Sequence, residues 1–202
     1  MQNAEVFRLR TGALRRALRT RCDFTFVDAP HAVSIQPEEG PKNMEPMFGW
    51  WTASDKAKEV NNQHKTEYIG FEESLELVNR LVREDGPYDG VLGFSQGAAM
   101  AAMLLRTSPH PFKFGIIVSG FIPRDPTLAH ALSSGHTCCP TLHICGSSDQ
   151  RVPMEGSKAL LEVFEENGEL FEHSSGHCIP TGSETKQVLR AFIDRVSFNT
   201  NT

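Results

Sequence analysis

Tyr88-Asp89-Gly90-Val91-Leu92-Gly93-Phe94-Ser95-Gln96-Gly97-Ala98-Ala99-Met100 switches from one periodicity to another at its centre. Up to Phe94 it is a short apolar run entered from Gly86-Pro87, the pattern of a buried strand. From Gln96 to Leu105 it is alanine-rich and compatible with a buried helix. Between the two, Gly93-Phe94-Ser95-Gln96-Gly97 matches G-x-S-x-G, in which a serine is carried on a sharp strand-to-helix turn. Such a turn strains the serine backbone and brings the residues two places either side close together, so side chains at 93 and 97 would collide. The following helix directs its first N–H groups and the positive end of its dipole at the reaction centre, making the Gln96 backbone N–H an oxyanion-hole candidate. G-x-S-x-G also arises by chance in glycine-containing turns. The strand before it and the helix after it favour the nucleophile Ser95.

A nucleophile elbow predicts the chain order serine, acid, histidine. Gly146-Ser147-Ser148-Asp149 directly follows the apolar strand predicted over Thr141 to Cys145, and loops at the C-terminal ends of parallel strands are where such sheets place their sites. Asp149 is the candidate acid. Asp125, after the strand predicted over Phe114 to Ser119, is its rival, and either could be an ordinary turn or helix-entry aspartate. Of eight histidines, His173 and His177 follow Asp149. His173 falls within the predicted strand Glu169 to His173. His177, in Ser174-Ser175-Gly176-His177, lies just beyond it and is the candidate base. The expected roles are proton removal from Ser95 by His177, orientation of the imidazole by Asp149, and an acyl-serine intermediate. This chemistry requires no metal or cofactor. No zinc-like Cys/His spacing and no glycine-rich phosphate or dinucleotide fingerprint occurs.

Outward from the elbow, strands and helices alternate. Helices are expected over Glu5 to Thr20, Tyr68 to Arg83, Met154 to Glu166 and Glu184 to Arg195, and a further strand over Phe24 to Val27. Buried strands alternating with helices imply an α/β fold with a mostly parallel sheet covered on both faces. The 202 residues suit one domain, 1–202. Residues 31–63 form a long, weakly patterned stretch, expected as a lid or loop region. It holds Trp50 and Trp51, the only two tryptophans, which are read either as pocket wall or as core packing; Phe121, after the Phe114 to Ser119 strand, is read in the same two ways.

A net charge of -5 favours neither nucleic acid nor an anionic membrane surface. The basic residues Arg15, Arg16, Arg19 and Arg21 read as a solvated helix face. No apolar run approaches the roughly 18 residues of a membrane span, and Met1 to Arg10 carries no secretory h-region. Five cysteines without regular spacing point to a reducing, cytoplasmic setting. The expected partner is a small-molecule ester or thioester substrate. The sequence sets no oligomeric state.

Gly49-Trp50-Trp51, Gly70-Phe71-Glu72-Glu73-Ser74, Gly86-Pro87-Tyr88-Asp89-Gly90, Gly93-Phe94-Ser95-Gln96-Gly97-Ala98-Ala99, Val118-Ser119-Gly120-Phe121 and Gly176-His177-Cys178-Ile179-Pro180 together resemble the eukaryotic "family of serine hydrolases" esterases of the α/β-hydrolase superfamily. Acyl-protein thioesterases share a similar elbow, but the paired tryptophans and the Gly-His-x-Ile-Pro ending point to the first family. The resemblance implies carboxylesterase activity, on lipophilic acyl chains, and assigns the triad to Ser95, Asp149 and His177. It also implies an apolar first strand, central in the sheet beside the nucleophile strand, and a His-Gly loop giving a second oxyanion N–H. Met1-Gln2-Asn3 resembles only the tail of that loop, so the fold is expected to lack this strand. Loss of one oxyanion donor is expected to cost about 10²–10³ in turnover, which leaves a non-catalytic interaction protein as the rival class.

Overall fold

A computed structural model describes residues 2–33, 46–54, 66–137 and 139–198. Its centre is a four-stranded parallel sheet made of β5 (Gly90–Phe94), β6 (Phe114–Val118), β7 (Thr141–Gly146) and β8 (Gly168–His173), in the order β5-β6-β7-β8. Each link between neighbours carries a helix: α4 (Gln96–Thr107), α5 (Pro126–Ser134) and α6 (Met154–Val163). Parallel strands need such crossovers, and here all three lie behind one face while helices from the two ends of the chain cover the other, so the inner strands are apolar on both sides. Along β6, Ile116 and Val118 join one apolar cluster and Ile117 the other. Behind one face lie α3 (Phe71–Asp85), α4, α5 and α6, and eight consecutive α4 residues, Ala98 to Leu105, are buried. Behind the other lie α2 (Gly12–Leu18) and the final helix α7 (Ser183–Phe198), whose Leu189, Phe192, Ile193 and Val196 pack on β6 and β7. The Arg21 guanidinium forks onto both carboxylate oxygens of Asp194, and Arg190 donates to the Ala17 carbonyl, which joins these two helices.

Four expectations about elements change. The helix expected over Glu5 to Thr20 is two, α1 (Ala4–Arg10) and α2, broken at Thr11, whose hydroxyl donates to the Phe7 carbonyl at 2.8 Å while its backbone leaves the helical region (φ -85, ψ 4). The helix expected from Tyr68 begins only at Phe71. Tyr68 belongs to β4 (Glu67–Ile69), and Gly70, at φ 86, turns strand into helix. A side chain at Gly70 would run into the His31 ring, whose Nε2 pairs with the Gly70 carbonyl. Within 31–63, the described residues form short antiparallel strands: β1 (His31–Val33) pairs with β2 (Met47–Gly49), and β3 (Thr52–Ser54) pairs with β4. The rest of that stretch lies outside the described residues. Finally, Phe24 to Val27 forms no strand, because among the described residues no ladder runs beside it; β-propensity alone does not supply backbone partners. Its rings pack locally instead, with Phe26 edge-on to Phe7 and stacked with Phe24.

The nucleophile strand β5 therefore stands at an edge of the described sheet. A cavity of about 1090 Å³ separates its outer side from Phe24 to Val27, and its lining reaches Ser95, Gln96, His177 and Trp50.

Candidate active site

Ser95 sits at the turn from β5 into α4 with φ 56 and ψ -120, a conformation sparsely populated for any residue with a side chain. It is held there by the 2.9 Å bond from its N–H to the Val118 carbonyl, which extends the β5–β6 ladder one residue beyond the strand. The two glycines of the elbow turn out to have different reasons. A Cβ on Gly93 would meet the backbone of Gly97 and Ala98, the close approach expected of this turn. A Cβ on Gly97 would instead meet the Trp50 indole, its Nε1 lying 3.3 Å away. The helical bonds of α4 start with Ala98 and Ala99 N–H donating to the Ser95 carbonyl, so the Gln96 and Gly97 N–H groups precede that ladder at the positive end of the helix.

Asp149 lies in the turn after β7, almost wholly enclosed, with its side chain 1% exposed. Arg151 and Val152 N–H donate to its Oδ1, each at 2.9 Å, and the Ser119 hydroxyl donates to Oδ2 at 2.9 Å. Burial pushes this carboxyl's pKa up. The hydrogen bonds from Val152, His177, Arg151 and Ser119 outweigh burial and leave it below the ordinary value, so the group is ionised at neutral pH. An ionised carboxylate only accepts, so the 2.7 Å contact with His177 places the imidazole proton on Nδ1. The other nitrogen, Nε2, lies 3.0 Å from Ser95 Oγ and accepts its proton. His177 is delivered by the loop after β8 and packs tilted against the Phe94 ring, 4.7 Å between centroids. The side chains of Ser95, His177 and Asp149, expected together from the elbow, the loops after the strands and the chain order, thus form one continuous hydrogen-bonded chain at the C-terminal rim of the sheet.

The rival acid, Asp125, is engaged elsewhere. It caps α5 through the N–H groups of Thr127 and Leu128 and accepts the Tyr68 N–H. His173 ends β8, with Nδ1 accepting the Ser175 N–H. Trp50 lines the cavity beside Ser95. Trp51 does not: only 4% exposed, it stacks on Tyr68 at 4.8 Å and tilts against Phe71. Phe121 packs on the buried cluster around α4 and is not in the cavity lining. Gln2 and Asn3 reach the cavity wall, Asn3 as N-cap of α1 through its 2.8 Å bond from Val6 N–H. Two functional side chains escaped sequence reasoning. Ser119 (φ 49) follows β6 and reaches the site only because its strand lies between those of Ser95 and Asp149; the small residues Ser119-Gly120 were its sole signal. The Gln96 side chain carries no local signal, because its partners, the Trp50 N–H and the Trp51 carbonyl, lie more than forty residues away in the chain. Among the described residues no group of His, Cys, Asp and Glu is disposed to hold a metal ion, and no helix is long and apolar enough to cross a membrane.

A doubly covered parallel sheet with a strained serine between its nucleophile strand and the next helix defines the α/β-hydrolase class. Within it, the chain belongs to the FSH1 serine hydrolase family, whose model matches residues 1–189. Esterase OVCA2 of Danio rerio is 35% identical over 96% of this chain and 92% of its own length, and the Homo sapiens protein of that name is 33% identical over the same shares. The fold is shared with the crystal structure of esterase PE8 (TM-score 0.68, 22% identity, 96% of this chain and 87% of that one) and with Arabidopsis thaliana SOBER1 (TM-score 0.64, 18% identity, 96% and 93%).

Proposed function

We propose that this serine hydrolase cleaves carboxylic esters, with Ser95 as nucleophile, His177 as general base and acid, and Asp149 as the group that orients the imidazole. The observation that carries the reading is the relay itself: Asp149 to Nδ1 at 2.7 Å and Nε2 to Ser95 Oγ at 3.0 Å, both within proton-transfer reach. Esterase-named relatives over nearly the whole chain support it. As Oγ attacks the ester carbonyl, Nε2 takes its proton and Asp149 stabilises the imidazolium. The developing oxyanion falls beside the Gln96 N–H at the head of α4. His177 then returns the proton to the departing alkoxide, and the reverse sequence with water frees the acid from the acyl-serine. The cavity wall formed by Trp50 takes the apolar portion of the substrate, with Trp51 its buried anchor. Residues 1–202 act as one catalytic domain, with Met47, Phe48 and Trp50 of the 31–63 stretch in that wall. Among the described residues Cys22, Cys145 and Cys178 form no disulfide, and burial raises the pKa of Cys22 and Cys145, which fits a reducing cytoplasm.

The test is a fluorophosphonate probe combined with a panel of p-nitrophenyl esters and matched thioesters. Covalent labelling and ester turnover are expected from the wild type, and neither from Ser95→Ala. Absence of any Ser95-dependent adduct or turnover would sink the reading, and faster thioester than ester turnover would reassign the substrate.

A further inference from the structure

Gln96 heads α4 with its backbone facing the reaction centre and its side chain facing the opposite way, onto the corner between β2 and β3. There its Oε1 accepts the Trp50 N–H at 3.0 Å and its Nε2 donates to the Trp51 carbonyl at 2.9 Å. A carboxamide offers one acceptor and a coplanar donor, so it can bracket the N–H and C=O of adjacent residues as a neighbouring strand would. The carbonyl between them, that of Trp50, is taken by the Ser74 hydroxyl from α3. Three backbone groups of a corner that lies between two short ladders are thus satisfied by two side chains. Beneath, the Trp51 ring is clamped on Tyr68, whose own hydroxyl accepts the Arg124 N–H at 2.9 Å. Above, the Trp50 indole lies over the first turn of α4, its Nε1 3.3 Å from where a Cβ at 97 would stand, and lines the cavity with Ser95.

We propose that the Gln96 side chain is a positioning residue for acyl-chain selection: its carboxamide bracket holds the Trp50 indole as a fixed wall of the acyl site beside Ser95. The inference rests on the ester-hydrolase reading for its kinetic readout but not for its structural one. A fixed wall discriminates chain length through contact along the apolar chain, whereas the chemical step is common to all chains. Releasing the bracket therefore alters KM for long chains more than kcat for any chain.

Trp50 and Trp51 are the only tryptophans of the chain, so intrinsic tryptophan fluorescence reports on this corner alone. Two substitutions separate the bracket from the oxyanion N–H, which both retain. Gln96→Met keeps length and helix propensity but loses both hydrogen bonds at every pH. Gln96→Glu loses the donor while ionised and regains one donor and one acceptor when protonated. Relative to wild type at the same pH, Gln96→Met is expected to show red-shifted emission at both pH 8 and pH 4, and Gln96→Glu a shift at pH 8 that reverts at pH 4. At pH 8 both variants are expected to lower the octanoyl-to-acetyl ratio of kcat/KM by about tenfold, through KM. Ser74→Ala, which frees only the Trp50 carbonyl, gives a smaller change in the same direction and stands in should Gln96→Met fail to fold. Unchanged emission in the variants, or a loss confined to kcat and equal across chain lengths, would overturn the proposal. A wild type that hydrolyses no ester, joined with acid-reversible emission in Gln96→Glu, would remove the esterase reading and leave the bracket standing.

Discussion

Ser95 shows what a reactive side chain costs locally. Its φ of 56 and ψ of -120 expose Oγ to His177, and such backbone angles cost about 1–3 kcal/mol in a residue with a Cβ. Ser95→Gly removes the Cβ conflict as well as the nucleophile, and Ser95→Ala removes the nucleophile alone. Both are expected to be inactive, but the glycine variant is expected to be more stable than the alanine variant by about 1 kcal/mol, after the extra chain entropy of glycine is subtracted. Urea midpoints of the two variants measure the difference; a more stable alanine variant would mean that the backbone at 95 is unstrained. Asp149 is the complementary case. Its depressed pKa comes from four donors: Arg151 and Val152 belong to its own turn, while Ser119 and His177 come from distant segments that no local sequence pattern announces.

The elbow as an element depends on two glycines with unequal demands. A methyl group at 93 meets backbone atoms of Gly97 and Ala98, which cannot rotate away; one at 97 meets the edge of the Trp50 ring at 3.3 Å, which can shift. Gly93→Ala is therefore expected to destabilise the protein by about 1–3 kcal/mol, and Gly97→Ala by less. Thermal denaturation ranks them, and the reverse order would show that the indole is more rigidly held than the backbone. The neighbouring elements show where periodicity misleads. Ile69 fits the helical pattern of Tyr68 to Arg83 by spacing, yet it is exposed in β4, because the left-handed turn at Gly70 intervenes. Thr11 divides one apolar stripe into two helices through a hydroxyl-to-carbonyl bond that a hydrophobic pattern does not register.

Across the whole molecule, the sheet is sealed between two apolar clusters, and a histidine is trapped inside. His143, on β7, is 1% exposed, edge-on to Phe164, and pairs with the Thr141 hydroxyl at 3.2 Å. Burial lowers its pKa from 6.5 to about 4. The folded state thus resists a proton that the unfolded chain accepts. Stability from this group is full above pH 6.5 and is lost as pH falls toward 4, on the order of 3 kcal/mol over that interval. His143→Leu should flatten the fall in unfolding free energy between pH 7 and pH 4.5. An equally steep fall in the variant would assign the acid sensitivity to other groups; Asp149 is not one of them in this interval, because its contribution is lost only as pH falls below the ordinary carboxylate value.

Legible in the residues alone are the layers and the order of the proposed triad along the chain: serine on the elbow, acid after β7, histidine after β8, with crossover helices between. These are legible because period, turn residues and chain order act over a few residues at a time. Only the tertiary structure decided which strands have partners, so Phe24 to Val27 forms no ladder despite its composition and β5 lies at an edge. It alone tied Asp125 to the Tyr68 N–H, turned Trp51 into the core and Trp50 toward Ser95, and brought Ser119 and the Gln96 carboxamide to their partners. Each of those outcomes depends on a hydrogen bond or ring contact between residues distant in the chain, and such contacts exist only once the sheet has set the distances among them.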